Sequence, residues 1–140
     1  MYVNEEFRTR ILIASQGAGT AGGGYLAPTP GVNTITVRAI VNITNAANLE
    51  LTLKSADDTA GNNAANFILV PVFLNGIRQS TYESAITITQ DSGIAIVDFE
   101  VMPGQVPEGK TIGLAFGTSN AENIITAELL EDVAYVPSDN

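Results

Sequence analysis

Apolar and polar residues alternate with a period of two through one short segment after another, and clusters of Gly, Pro, Asn and Asp separate the segments. The clearest ribbon is Val32 to Thr44, where Ile35, Val37, Ala39, Val41 and Ile43 share one face and Thr34, Thr36, Arg38 and Asn42 the other. Successive side chains of a strand point to opposite faces, so the pattern predicts a half-buried strand. Leu49, Leu51 and Leu53 against Glu50, Thr52 and Lys54 predict the next. Ile86 and Ile88 continue the core, Ala95, Val97, Phe99 and Val101 supply a further inward face, and Ile112, Leu114 and Phe116 alternate with Thr111, Gly113 and Ala115. Near the start, Phe7, Thr9, Ile11 and Ile13 against Arg8, Arg10 and Leu12 predict a first strand over Phe7 to Ala14. Each Leu, Ile or Val so buried contributes about 1.5–3 kcal/mol.

Two segments depart from simple alternation. From Phe67 to Leu74 both faces are apolar around Pro71, and a proline cannot donate to a ladder, so this strand belongs at an edge or at a bulge. Asn75-Gly76 is the preferred pair for a type I′ hairpin turn, with Ile77 to Tyr82 returning beside it. Ala121 to Val136 reads two ways. Ser119-Asn120-Ala121-Glu122 has the form of a helix capping box, whereas Ile125, Ala127, Leu129, Val133 and Tyr135 fit one or two strands. The strand reading is preferred, because the rest of the chain is β and a terminal strand closes a sandwich. Loops are expected over 15–31, which is rich in Gly and Pro, over Ser55 to Asn66, and over Met102 to Gly109. The expectation is one all-β domain over 1–140, with 1–6 as an N-terminal arm: an antiparallel β-sandwich of eight to nine strands, in jelly-roll form.

Composition narrows the chemistry. The chain has no His, Cys or Trp, so Ser/His and Cys/His nucleophilic pairs and thiolate or imidazole metal sites are excluded. Six basic against fifteen acidic residues give a net charge of −9, which repels phosphate backbones and anionic membrane surfaces; neither nucleic acid nor membrane is expected as a partner. No apolar run reaches the roughly 18–20 residues that cross a bilayer. Met1 to Phe7 carries acids where a secretory signal carries basic residues, so no such signal is visible.

Several motifs imitate active sites. Gly104 to Thr111 matches the phosphate-loop pattern GxxxxGK[ST], but that loop requires a helix starting at the lysine, and Thr111 to Gly117 has strand period. Pro107 and Glu108 further spoil the cradle. Gly17 to Gly22 matches GxGxxG after a strand, yet Gly23, Gly24, Pro28 and Pro30 forbid the helix that should follow. Asp98 and Glu100, two apart on a strand and so about 7 Å from each other, have the spacing of a glycosidase pair, but a solvated sheet face produces such pairs routinely and is the preferred reading. Asp57, Asp58, Asn62 and Asn63 could offer oxygens to calcium without the spacing of an EF-hand. Asn42-Ile43-Thr44 spells a glycosylation sequon inside a strand. Lys54 and Lys110 sit in no stretch that predicts burial, so no Ser/Lys pair is expected. The expectation is therefore no catalytic, cofactor-binding or metal-binding residue.

What remains is adhesive. If the second apolar face of Phe67 to Leu74 is exposed, it invites pairing between copies; if a loop or the terminal segment covers it, the strand is ordinary core. The candidate interface is Phe67, Ile68, Val70, Val72, Phe73 and Leu74, joined by Tyr2, Phe7, Gly19 and Tyr25. With its short Thr/Ile/Val strands, its Asn/Ala/Gly loop Asp57 to Asn66, its lack of Cys and His, and its Val106-Pro107-Glu108-Gly109-Lys110 loop before Thr111-Ile112-Gly113-Leu114, the chain resembles the small β-sandwich cement or decoration proteins of tailed bacteriophage capsids. That resemblance implies a non-enzymatic virion protein on the capsid exterior, assembled in the host cytoplasm. It also implies a homotrimer or other small oligomer clamping neighbouring major capsid subunits, with Met1 to Phe7 and Gly17 to Gly24 ordering on docking. A carbohydrate- or receptor-binding module of a tail or fibre is the alternative, with Tyr25, Tyr82 or Tyr135 stacking on a sugar.

Overall fold

The computed structural model describes residues 4–135, with side chains from 7 to 133. Its strands are β1 (Asn4–Gly17), β2 (Gly22–Leu26), β3 (Val32–Ile43), β4 (Leu49–Ala56), β5 (Ala65–Asn66), β6 (Val72–Leu74), β7 (Ile77–Arg78), β8 (Ala85–Ile88), β9 (Gly93–Val101), β10 (Thr111–Phe116) and β11 (Ile124–Tyr135), with one 3₁₀ turn at Pro103–Gln105. They form two antiparallel sheets. The six-stranded sheet runs β1-β11-β3-β9-β6-β7, and the five-stranded sheet runs β2-β10-β4-β5 with β8 also on β4.

Setting aside β5, β6 and β7 leaves eight strands whose first lies beside the last, then the third and the sixth, in one sheet; the other holds the second, seventh, fourth and fifth. All but one of the connections therefore cross between sheets. This is the strand order of a jelly roll, as expected, with β5 to β7 inserted between the fourth and fifth strands.

The core follows the period-two pattern closely. Val37, Ala39, Val41, Leu49, Leu51, Leu53, Ala95, Val97, Phe99, Ile112 and Leu114 are all fully buried between the sheets. The last segment is strand and not helix: Ile125, Ala127 and Leu129 are buried, and β11 pairs with both β1 and β3. A helix there would have left β1 and β3 without a shared neighbour. The Asn75-Gly76 turn forms as expected, both residues having positive φ (52° and 81°).

Three expectations change. Residues 15–31 are not one long loop, because β1 runs to Gly17 and Gly22–Leu26 forms β2 on β10. The glycines there permit close approach: a Cβ on Gly24 would lie 1.8 Å from the Leu12 carbonyl oxygen, so only Gly lets β1 and β2 meet. The arm expected over 1–6 already belongs to β1 from Asn4 onward, and residues 1–3 lie outside the described part. The phase of β1 is also reversed before its bulges. Phe7 and Ile11 are 75% and 65% exposed, while Arg10 turns inward and Leu12 and Ile13 are both buried across irregularities on either side of Ile13. An inward acid on β11, Glu131, provides the reason.

Candidate functional site

Glu131 is fully buried, and its carboxylate is enclosed by donors from two segments. The Thr29 amide donates to Oε2 at 2.5 Å, the Thr29 hydroxyl to Oε1 at 2.7 Å, and Arg10 to Oε1 at 3.4 Å. Arg10 also donates to the Ala27 carbonyl at 2.7 Å, and Arg8 to the Thr29 hydroxyl at 3.2 Å. Three donors on one carboxylate offset its desolvation. The network pins the Ala27–Thr29 crossing to β1 and β11, and it draws the two arginines of β1 away from the outer face. Only its role as a clamp is supported by this geometry, since every oxygen is already occupied.

The opposite flank is sealed by the insertion. The Phe67 amide donates to Leu53 on β4, the Val72 carbonyl accepts from Gln79, and Val70 bridges to Glu83, so this stretch carries the chain from the edge of one sheet to the edge of the other. Phe67, Val70 and Val72 point into the core (7%, 0% and 1% exposed). They are not available to a partner, which corrects the expected interface at these three positions. The physical reason is that a sandwich is open along its sides, and apolar side chains on both faces of the insertion can fill that gap. Ile68 stays exposed, while Phe73 and Leu74 are half-buried on β6.

Of the other candidate residues, Tyr2 lies outside the described residues. Gly19 is exposed but packed, because a Cβ there would meet Ala121 at 2.9 Å. Tyr25 is half-buried with its ring against Gly113, its cross-strand partner, and that burial raises its hydroxyl pKa. An aromatic ring shielding a glycine is a packing device, so Tyr25 offers no free platform. Among the described members of the set, Phe7 is the one standing fully on the surface beside an open edge.

The motifs that imitate chemistry are used structurally. Arg38 grips Asp98 through two hydrogen bonds of 2.7 and 3.1 Å, which hold the guanidinium still more firmly protonated and engage both carboxylate oxygens. Lys110 pairs with Asp57, and its amide donates to Pro107 at 3.0 Å in a turn with no helix behind it. Thr111 is buried with its hydroxyl on the Ala56 and Asp58 carbonyls. Asp58 accepts from the Ala60 and Asn62 amides and the Asn62 side chain, and Asp57 from Asn63, so the carboxylates serve the turn. No cluster of three acidic residues able to hold a metal ion occurs among the described residues.

One groove was not legible in the sequence. On the outer face, Thr34, Thr36, Pro71, Tyr82, Glu100, Met102 and Gln105 line a depression of about 320 Å³. Its polar side chains come from β3, β9, the insertion and the 3₁₀ turn. Only the cross-strand pairing Thr36 to Glu100 could have been inferred beforehand. Tyr82 is 52% exposed, with the Arg78 guanidinium 5.5 Å over its ring.

No family model, no curated protein and no solved structure matches this chain.

Proposed function

We propose that this protein is a non-enzymatic structural component of a tailed-phage virion, a cement or decoration protein that assembles with its own copies and braces neighbouring major capsid subunits. The observation that carries the reading is the outer face of the six-stranded sheet. Phe7, Ile11, Ile94 and Ile96 are 75%, 65%, 61% and 37% exposed there, although the sandwich interior is otherwise sealed. They form two apolar pairs on that face, Phe7 with Ile11 on β1 and Ile94 with Ile96 on β9, and we read each pair as a contact point for another surface. Asp57, Asp58, Asp98 and Lys110 of the apparent active-site motifs, by contrast, are held in ion pairs and turns. The jelly roll is a frequent capsid architecture, which supports the reading at the level of fold alone.

The test is co-sedimentation with DNA-free shells built from the major capsid protein encoded in its gene neighbourhood. Saturable binding and raised shell stability are expected. Shells that neither bind the protein nor gain resistance to heat would overturn the reading.

The groove at Tyr82 favours a second reading, a carbohydrate- or receptor-binding module. An exposed ring beside two threonine hydroxyls, a carboxylate and an amide has the parts of a neutral-sugar site. Glycan binding abolished by Tyr82→Ala would establish it in place of the first.

A further inference from the structure

The sheet edges are not alike. β7 and β5 are two residues long, β8 is four, and β2 is five, three of them glycine, whereas β1 extends over fourteen. Short edges resist adventitious pairing, and long ones template it. Among the described residues the backbone of β1 bonds only to β11, so its other side is an unpaired ladder. The bulges that could guard it come only after Ile11. β1 contains no proline and no lysine, and its arginines are turned toward Thr29, Ala27 and Glu131. Among the described side chains, the apolar ones it presents outward on the straight stretch are Phe7 and Ile11.

We propose that β1 pairs antiparallel with β1 of a second copy, about a two-fold axis through Phe7, joining two six-stranded sheets into one. This rests on the reading that the protein assembles with itself, and it names the surface. Two observations select the occupant and the register. First, β1 runs in unbroken register with β11 from Asn4 to Ile11 and bulges only after that, so the straight stretch available for pairing has Phe7 near its middle. Second, the sequence Glu5-Glu6-Phe7-Arg8-Thr9-Arg10 reverses sign about Phe7. Antiparallel pairing centred there sets position 6 opposite Arg8 of the second copy, twice, and Phe7 opposite Phe7. Centring on Arg8 would set that arginine against itself, and centring on Thr9 would set Arg8 against Arg10. The Phe7 register brings unlike charges together without opposing like ones, whereas the Arg8 register sets position 6 against Arg10 only by also setting the two Arg8 residues against each other, which matters for two chains that each carry −9. A two-fold contact of this kind is self-complementary and closes at two copies.

Because the chain has no cysteine, single cysteines report the register directly. Residues directly opposite on antiparallel strands lie about 4.5–5.5 Å apart at Cα, within disulfide range. Under mild oxidation Phe7→Cys is expected to cross-link copy to copy, and Thr9→Cys, displaced by four positions from its own mate, is not. Light scattering should give twice the 14.6 kDa chain mass for the wild type and the single-chain mass for Phe7→Asp, with unchanged far-ultraviolet circular dichroism. A monomeric or trimeric wild type would overturn the pairing, as would a dimer that Phe7→Asp leaves intact or that Phe7→Cys fails to cross-link. The capsid reading fails separately: a cross-linked dimer that ignores shells removes that reading alone, and a monomer that binds shells removes the pairing alone.

Discussion

The two flanks of the sandwich are closed by opposite chemistry. On the β9 side the insertion presses Phe67, Val70 and Val72 into the gap between the sheets, while on the β1 side the gap is closed beside Arg10, Glu131 and Thr29. An apolar plug is non-directional and tolerates sliding; a carboxylate with three donors permits only one arrangement. The apolar flank ends in a two-residue edge strand, and the polar flank ends in a fourteen-residue one. Holding Arg10 on the inner side turns that charge away from the outer face of the long edge, where Phe7 and Ile11 stand exposed. Stability on the first flank and availability on the second thus follow from which residues fill the gap.

The sharpest way to separate them is to place the same charge on each. Val70→Asp would bury a carboxylate with no partner, and a loss of about 4 kcal/mol or more is expected, enough to unfold much of the population. Ile11→Asp on the other edge should stay within about 0.5 kcal/mol, because that side chain is already solvated. Urea midpoints compare the two, and equal shifts would contradict the assignment of one flank as core and the other as surface.

A smaller effect is expected from the polar plug. Glu131→Ala leaves the Thr29 amide and the Arg10 guanidinium without their acceptor, with a loss of about 2–4 kcal/mol. Arg10 is 28% exposed and can turn to water, so Arg10→Ala should cost about 1 kcal/mol. Hydrogen exchange at Thr29 should rise in the first variant far more than in the second. If the two variants lose the same amount, the buried carboxylate depends on Arg10 as its counter-charge and the two Thr29 donors do not hold it by themselves.

Most of the fold was legible because period two survives wherever one sheet face is buried. β3, β4, β9 and β10 show their inward residues directly in the sequence. β1 did not, because its apolar residues lie on the outer face and its inward position at Arg10 is justified only by Glu131, 121 residues further along. A long-range ion pair leaves no local period. The insertion was ambiguous for the converse reason: two apolar faces fit an exposed edge and a covered strand alike, and three of its side chains fill the side of the sandwich. β2 was hidden because glycines chosen for close approach to Leu12 look the same in sequence as glycines of a loop. The Tyr82 groove gathers residues from four separate segments, and nothing local marks them as neighbours.

The least of the expected effects concerns the turn through which the chain enters the apolar flank. Asp57 is held below the ordinary aspartate range first by Lys110 and then by Asn63, and Asp58 by the Asn62 side chain, the Asn62 amide and the Ala60 amide. A carboxyl with a lowered folded pKa binds its proton later than in the unfolded chain. Its stabilising contribution is therefore complete above about pH 4 and fades as the pH falls through the lowered folded values. Acidification from about pH 5 to about pH 2 should accelerate exchange at the Ala60 and Asn62 amides while Val70 and Val72 remain protected, because their plug has no titrating group. Asp58→Asn, which keeps an acceptor oxygen but cannot titrate, should flatten that response at Asn62. Acid opening of the turn and of Val70 at the same pH would mean that the insertion depends on its polar entrance, and the division between an apolar flank and a polar one would no longer hold.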